Sequence, residues 1–411
     1  MGKNNAHDLK PMPLEGIRVL ECGVFHAGPG AGAILGDLGA EVIKIESGSG
    51  DPIRRMTEIA GSMIAMPDGE SAMWHVSNRN KKGLCLDIKQ KKGKEVLYKL
   101  VKDSDILIAN LRKSVIMKLG LDYNTLSKIN PRIICAYASG YGPKGPDSDA
   151  GGFDPVGQGR SGLMYITNKD ADPILMNFAA LDQATAISLS HAILTALFVR
   201  ERTGVGQEVH VSLYSTGIWF LYNNYLLHSL VSVDASVPWV RKKDSPLRNT
   251  FCCKDGRWII GVHEPQEKFW VPFCRAIGRE ELVHDPRFAD PATRKKNYEE
   301  LIAICDEALA SKNREEWLEI FKEYGLIYNA VNHLADVLVD QQALENGYIV
   351  DFDYPGVGKI KIPGYPIHFS ASSAGTKSAA PALGEHTEEV LLEHGYSKSE
   401  IEQLREQGII R

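Results

Sequence analysis

The chain has 411 residues, 44% of them apolar, with 47 Lys and Arg against 52 Asp and Glu and a formal net charge of −5. That length exceeds one simple core and predicts two or more domains, and the slightly acidic balance gives no reason to expect nucleic acid or an anionic membrane as a partner. No apolar run approaches a membrane span, the polar start lacks a signal-peptide core, and seven scattered cysteines without CxxC spacing point to reduced thiols in a cytoplasm, with no disulfide or metal framework.

Residues 17–21 (IRVLE) predict a buried strand, followed by a glycine-rich turn from Gly28 to Gly32, a short helical piece over 33–40 and a second strand over 41–46. This is a βαβ unit. Gly28, Gly30 and Ala33 satisfy G-x-G-x-x-A, with Glu46 near the place of a ribose-binding acid, so this segment alone suggests an NAD-dependent oxidoreductase. Pro29 restricts that turn, and a glycine turn between strand and helix is often only a tight turn. We therefore read a nucleotide-type fold without assigning a nucleotide.

Strands over 84–88, 105–111 and 133–142, with a helix over 92–101, extend the pattern to an α/β fold with a doubly wound parallel sheet. Ligands of such sheets bind beyond the carboxyl ends of the strands. Those ends carry His26 and Ala27, then Leu86 to Lys89, then Asn110 to Arg112, and a Gly140-Tyr141-Gly142 turn. Lys81, Lys82, Lys89, Arg112 and Lys118 offer positive charge for a phosphate-bearing ligand. Lys91, Lys92 and Lys94 read instead as the solvated face of a helix.

Residues 177–206 contain one acid, Asp182, in a run of small and apolar residues. Ala184, Ile187, His191, Leu194 and Phe198 follow at helical spacing, and Thr203-Gly204 is a helix stop. Asp182 thus sits at or just before the first turn of a largely buried helix, where amide donors favour a charged carboxylate. Two readings stay open on these residues: a helix cap, or a nucleophile toward an activated acyl group. With an ordinary pKa of about 4, the nucleophile needs no base to activate it.

After a strand over 208–213 comes an aromatic-rich helix or linker, whose Trp219, Phe220 and Tyr222 read first as core and second as walls of an acyl pocket. Residues 249–263 predict a hairpin with Lys254-Asp255-Gly256 as its turn. Helical patterns over 269–277, 298–309 and 315–324 follow, the last with Asn313 as cap and Glu316 three residues on. The expected organisation is a large domain from 1 to 225, a small α+β domain over 240–340, and a C-terminal segment of short strands and a final helix over 345–411.

The stretches PLEGIRVLE, GPGAGAILGDLGAEVIKIE, NKKGLCLDIK, DILIANL, SGYGPKGP, RERTGVGQEVHVSL and ALGEHTEEVLLEHGY, in this order and spacing across nearly the whole chain, resemble the class III CoA-transferases. The resemblance implies coenzyme A as part of an acyl-CoA substrate, a carboxylic acid as the second substrate, and an interlocked homodimer whose C-terminal segment returns to the first domain. It implies that Asp182 attacks the thioester to give a mixed anhydride. It further implies CoA contacts at His26, Ala27, Leu86, Asp87, Ile88, Lys89, Asn110, Leu111, Arg112, Lys118, Gly151, Gly152, Phe153 and Asp154. Formyl-CoA transferases carry Arg where this chain has Ser47, Gln where it has His26, and a GGGGQ loop that it lacks, which argues against formate and oxalate and for a larger acid. The related α-methylacyl-CoA racemases use the His of a GHD motif, and here that motif reads Gly152-Phe153-Asp154. Phenylalanine accepts no proton, so transfer is favoured over racemisation, while an intramolecular CoA-transfer enzyme of the same superfamily stays an alternative. CoA binding without catalysis is a further alternative.

Overall fold

The computed structural model describes residues 10–411 apart from Ala60, Asp68, Asp234, Ala235 and Val237. The chain divides into two compact units, one formed by Met1–Ser236 with Gly347–Arg411 and the other by Val237–Asn346.

The first unit is built on a six-stranded parallel sheet: β1 (Arg18–Glu21), β2 (Glu41–Glu46), β3 (Lys81–Cys85), β4 (Ile106–Ala109), β5 (Ile134–Ser139) and β6 (Glu208–Ser212). The strands lie in the order β3-β2-β1-β4-β5-β6, every pair parallel. Alternation along each strand splits the core into two layers. Leu20, Ile43 and Leu107 face one side; Val19, Val42, Ile106 and Ile108 face the other.

The first side is covered by α2 (Lys91–Lys102), which buries Val96, Leu97, Leu100 and Val101 and turns its lysines outward. The C-terminal helices Thr387–Glu393 and Lys398–Glu406 add Val390, Leu391, Ile401 and Leu404 to the same layer. The second side is covered by α1 (Ala27–Asp37) and the long helix α5 (Ala180–Thr203). Each fully buried Leu or Ile in these layers contributes roughly 1.5–3 kcal/mol over its exposed state.

Three expectations are corrected here. The Gly28-to-Gly32 stretch is not a turn: α1 begins at Ala27. Its glycines serve packing, since a Cβ on Gly30 would stand 2.9 Å from Ala186 Cβ of α5 and one on Gly32 would collide with the Glu21 carboxylate. Glu46, the ribose-acid candidate, is buried and paired with Arg54. The fingerprint therefore joins helix to helix and helix to sheet. On α5 the buried stripe is Ala186, Leu189, Ile193 and Leu197, while Ile187, His191 and Phe198 are exposed. Strand ends are also earlier than expected: Leu86 to Ile88 lie beyond β3, and Asn110 and Leu111 beyond β4.

The second unit has a three-stranded antiparallel sheet with β7 (Arg248–Cys252), β8 (Trp258–Val262) and β9 (Tyr328–Val331), β8 in the middle. Gly256, with φ +73°, closes the β7–β8 turn. Helices Gln266–Ala276, Tyr298–Leu309 and Arg314–Glu323 pack Phe251, Phe273, Trp317 and Phe321 into its core. Glu316 reaches back to the Asn313 amide at 2.9 Å. In the first unit again, Ile349–Tyr354 and Gly358–Pro363 form an antiparallel pair. No helix among the described residues is long and apolar enough to cross a membrane.

Candidate active site

The strand order reverses between β1 and β4, and a crevice opens there beyond the carboxyl ends of the strands. The loop after β1 (Val24 to His26), the residues after β4 (Asn110 to Arg112), and Ser139 and Gly140 at and after the end of β5 line a cavity of about 730 Å³, with Asp182 in its wall. That volume suits a sizeable organic ligand.

Asp182 occupies the first turn of α5, entered through Phe178 and Ala179, both left-handed with φ of 60° and 57°. The helix cap is not Asp182. Asp154, at the start of α4 (Asp154–Arg160), accepts hydrogen bonds from the Leu181 amide at 2.6 Å and the Asp182 amide at 2.9 Å. Its second oxygen accepts from the Gln158 side-chain amide. With those donors taken, the Asp182 carboxylate has no hydrogen-bond partner among the described residues. Burial, and then the negative charge of Asp154, push its pKa up to about 7. The ordinary carboxylate pKa expected from the sequence is therefore replaced at this site by a raised one: near neutrality Asp182 is only part ionised, and its anion is more basic than an exposed aspartate's.

His26 stands at the N-cap position of α1, its two ring nitrogens engaged elsewhere. Nδ1 lies 2.7 Å from Ser77 Oγ and Nε2 2.7 Å from Gln183 Oε1. The amide oxygen of Gln183 only accepts, so Nε2 carries a proton; burial holds the pKa of the ring below the usual value, which favours the neutral form with the Ser77 hydroxyl donating to Nδ1. His26 thus orients Gln183, the neighbour of Asp182.

The loop between them is strapped from several sides. Asn110 accepts from the Val24 amide at 2.7 Å and donates to the Val24 carbonyl at 2.6 Å. Lys44, fully buried, donates to Gly23 O, Glu21 and Asp51, and Asp51 accepts from the amide of Phe25, itself left-handed at φ 59°. Phe25 meets Phe153 edge to face at 5.2 Å. Phe153 is carried by the Gly151-Gly152 segment, which lies so close to Gly140 that a Cβ on Gly152 would stand 2.6 Å from Gly140 Cα.

Of the fourteen residues that the resemblance ties to CoA and the one to catalysis, His26, Ala27, Asn110, Leu111, Arg112, Gly151, Gly152, Phe153 and Asp182 line this cavity. Arg112 makes no salt bridge among the described residues, although, behind the hydrogen bonds from Ser114, its charge helps to hold the Asp149 carboxyl below the usual range. Leu86, Asp87, Ile88, Lys89 and Lys118 do not line it. Leu86 is 1% exposed within the core, and the Asp87 amide donates to Ile409 O, tying this segment to the C-terminal residues. Asp154 is buried and spent on the α5 amides. Residues that sequence reasoning missed include Lys113 and Lys144, basic side chains lining the cavity, and Lys44 and Asp51 beneath the loop. The position of Lys113, one residue after Arg112 at a strand end, was a usable signal; nothing local marks Lys44 or Asp51. Among the described residues no cluster of His, Cys, Asp and Glu is arranged to hold a metal ion.

A carboxylate without donors, facing a cavity that also presents a guanidinium with no salt bridge, suits attack on an acyl group delivered by an anionic carrier. Residues 14–387 match the family model described as CoA-transferase family III. The chain is 33% identical to (R)-2-hydroxy-4-methylpentanoate CoA-transferase of Clostridioides difficile, over 97% of this chain and 100% of the relative. It is 33% identical to cinnamoyl-CoA:phenyllactate CoA-transferase of Clostridium sporogenes, over 95% of each, and 33% identical to succinyl-CoA:glutarate CoA-transferase of Mus musculus, over 97% of this chain and 90% of the relative. The crystal structure of a CAIB/BAIF family protein from Brucella suis superposes with a TM-score of 0.82 at 29% identity, covering 94% of this chain and all of that one.

Proposed function

The chain belongs to CoA-transferase family III, and from that membership we propose that it moves CoA from an acyl-CoA thioester to a carboxylic acid through an anhydride on Asp182. The observation that carries this reading is the Asp182 carboxylate itself, in the cavity wall with no hydrogen-bond donor. One of its oxygens bonds to the thioester carbonyl carbon, the carbon–sulfur bond breaks, and CoA leaves as thiolate. The acyl group stays activated as a mixed anhydride, which survives only if water is kept out. The thiolate then attacks the Asp182 carbonyl and releases the first acid. The acceptor carboxylate attacks the resulting aspartyl thioester, expelling CoA thiolate and leaving a second mixed anhydride on Asp182; the thiolate attacks the acceptor's carbonyl carbon, and the new acyl-CoA leaves with Asp182 freed as carboxylate. The amides of Ala27 and Gly28, at the head of α1 beside the cavity, are the oxyanion donors in this scheme. Arg112, with Lys113 and Lys144, holds the CoA phosphates.

The acceptor is an acid bulkier than formate or oxalate. The Phe25–Phe153 pair supplies an apolar wall, and the relatives named above act on 2-hydroxy-4-methylpentanoate, phenyllactate and glutarate. Faster turnover with formate or oxalate than with any branched, aromatic or dicarboxylic acid would contradict this. The active form is a homodimer. Mixing enzyme with an acyl-CoA, trapping with hydroxylamine and locating the adduct by mass spectrometry tests the mechanism. The expected result is a hydroxamate on Asp182. Exchange of the α-proton with deuterated water and no adduct would instead indicate racemisation.

A further inference from the structure

We infer that Asp154 is a positioning residue for Asp182, occupying both amides at the head of α5 so that the neighbouring carboxylate faces the cavity with no donor of its own. This rests on the reading of Asp182 as nucleophile and extends it. A first-turn carboxylate ordinarily finds the free amides of its own helix, which stabilise its anion and blunt it. Here the Leu181 and Asp182 amides both point to Asp154. A buried glutamine keeps Asp154 in that pose. Gln158 donates to the remaining Asp154 oxygen and to Met176 O at 2.8 Å, and its own oxygen accepts from the Met176 amide at 3.0 Å. Asp154, Gln158 and the segment entering α5 through Met176 therefore form one hydrogen-bonded unit, and the two left-handed residues after Met176 aim Asp182 into the cavity.

The second effect of this arrangement is charge. The other titratable groups lining the same cavity are His26 at the head of α1, Arg112, Lys113, Asp122 and Tyr123 after β4, Tyr137 on β5, Lys144 beyond it, and Glu208 and His210 on β6. Burial raises the proton affinity of Asp182 first, and of these neighbours Asp154 alone adds to it. The anion is thereby made more basic.

The test compares Asp154→Asn, which removes the charge, with Gln158→Leu, which keeps the charge and removes the lock. Both are read by the pH profile of kcat/KM and by melting temperature. In Asp154→Asn the acid limb should move down by about one pH unit, with the remaining displacement due to burial. In Gln158→Leu the limb should stay in place while kcat falls about tenfold from misalignment. If Asp154→Asn does not fold, Asp154→Ser, a neutral cap, reports the same limb. A limb fixed at the parental pH in the charge-removing variant, or parental kcat in both variants, overturns the inference. A hydroxylamine adduct on Asp182 in the parent, combined with an unmoved limb in Asp154→Asn, sinks this inference alone; a parental adduct elsewhere sinks the mechanism beneath it.

Discussion

In the proposed mechanism Asp182 and Asp154 divide the work of one site, and the division has a pH signature. The reactive form of Asp182 in that mechanism is its anion, and with its pKa at about 7 kcat/KM should fall about tenfold per pH unit on the acid side of that value. The same shift has a consequence for stability. The folded state holds the Asp182 proton up to about pH 7, whereas an unfolded aspartate releases it near about pH 4. The contribution of the protonated form is thus complete below the unfolded pKa and lost as pH rises through the folded one. Asp182→Asn should therefore melt above the parent at pH 8 and together with it at pH 4; equal melting points at both would contradict the burial argument. Arg112→Ala should raise KM for the acyl-CoA at least about tenfold with kcat largely kept, as loss of a charge-assisted phosphate contact requires; an unchanged KM would remove Arg112 from the binding site. The sequence made Asp182 conspicuous as a lone acid before an apolar helix. It did not disclose the proton affinity, because that depends first on burial and then on an acid 28 residues upstream, and both are set by tertiary structure.

At the scale of elements, the close approaches decide the site's shape. The Gly151-Gly152 segment and Gly140 touch backbone to backbone, and no side chain there can move aside. Gly152→Ala should cost about 1–3 kcal/mol and lower the melting temperature, with a rise in KM because Arg112 lies against Gly151. A variant with parental melting temperature and KM would contradict the tight packing. The βαβ order of the first hundred residues was legible from alternating apolar runs, yet the head of α1 was read as a turn. Four glycines and a proline within ten residues argue against a helix on propensity; packing of α1 on α5 and on the sheet overrides it. The buried stripe of α5 was not identified in the sequence, for another reason. The helix carries apolar residues on two faces, and periodicity alone cannot tell which one meets the sheet.

At the scale of the molecule, the reversal of strand order places the cavity, and the alternation of strands and helices in the sequence was enough to predict a parallel sheet with its ligands at the carboxyl ends. What the sequence did not reveal is the surface. Trp219, Phe220 and Tyr222, expected in the core, stand exposed, Trp219 by 71%, and the following helix Tyr222–Val231 buries no residue while showing Leu227 and Leu230 to solvent. An apolar face of this kind marks an interface, and self-association through it fits the proposed homodimer. Leu227→Asp with Leu230→Asp should shift sedimentation from dimer to monomer; an unaltered dimer would place the interface elsewhere. The account as a whole stands on Asp182, and replacing it by alanine while following CoA exchange between two carboxylic acids tests it most directly. Loss of exchange by about a thousandfold or more in a protein that still melts cooperatively is the predicted result; exchange at the parental rate would contradict it.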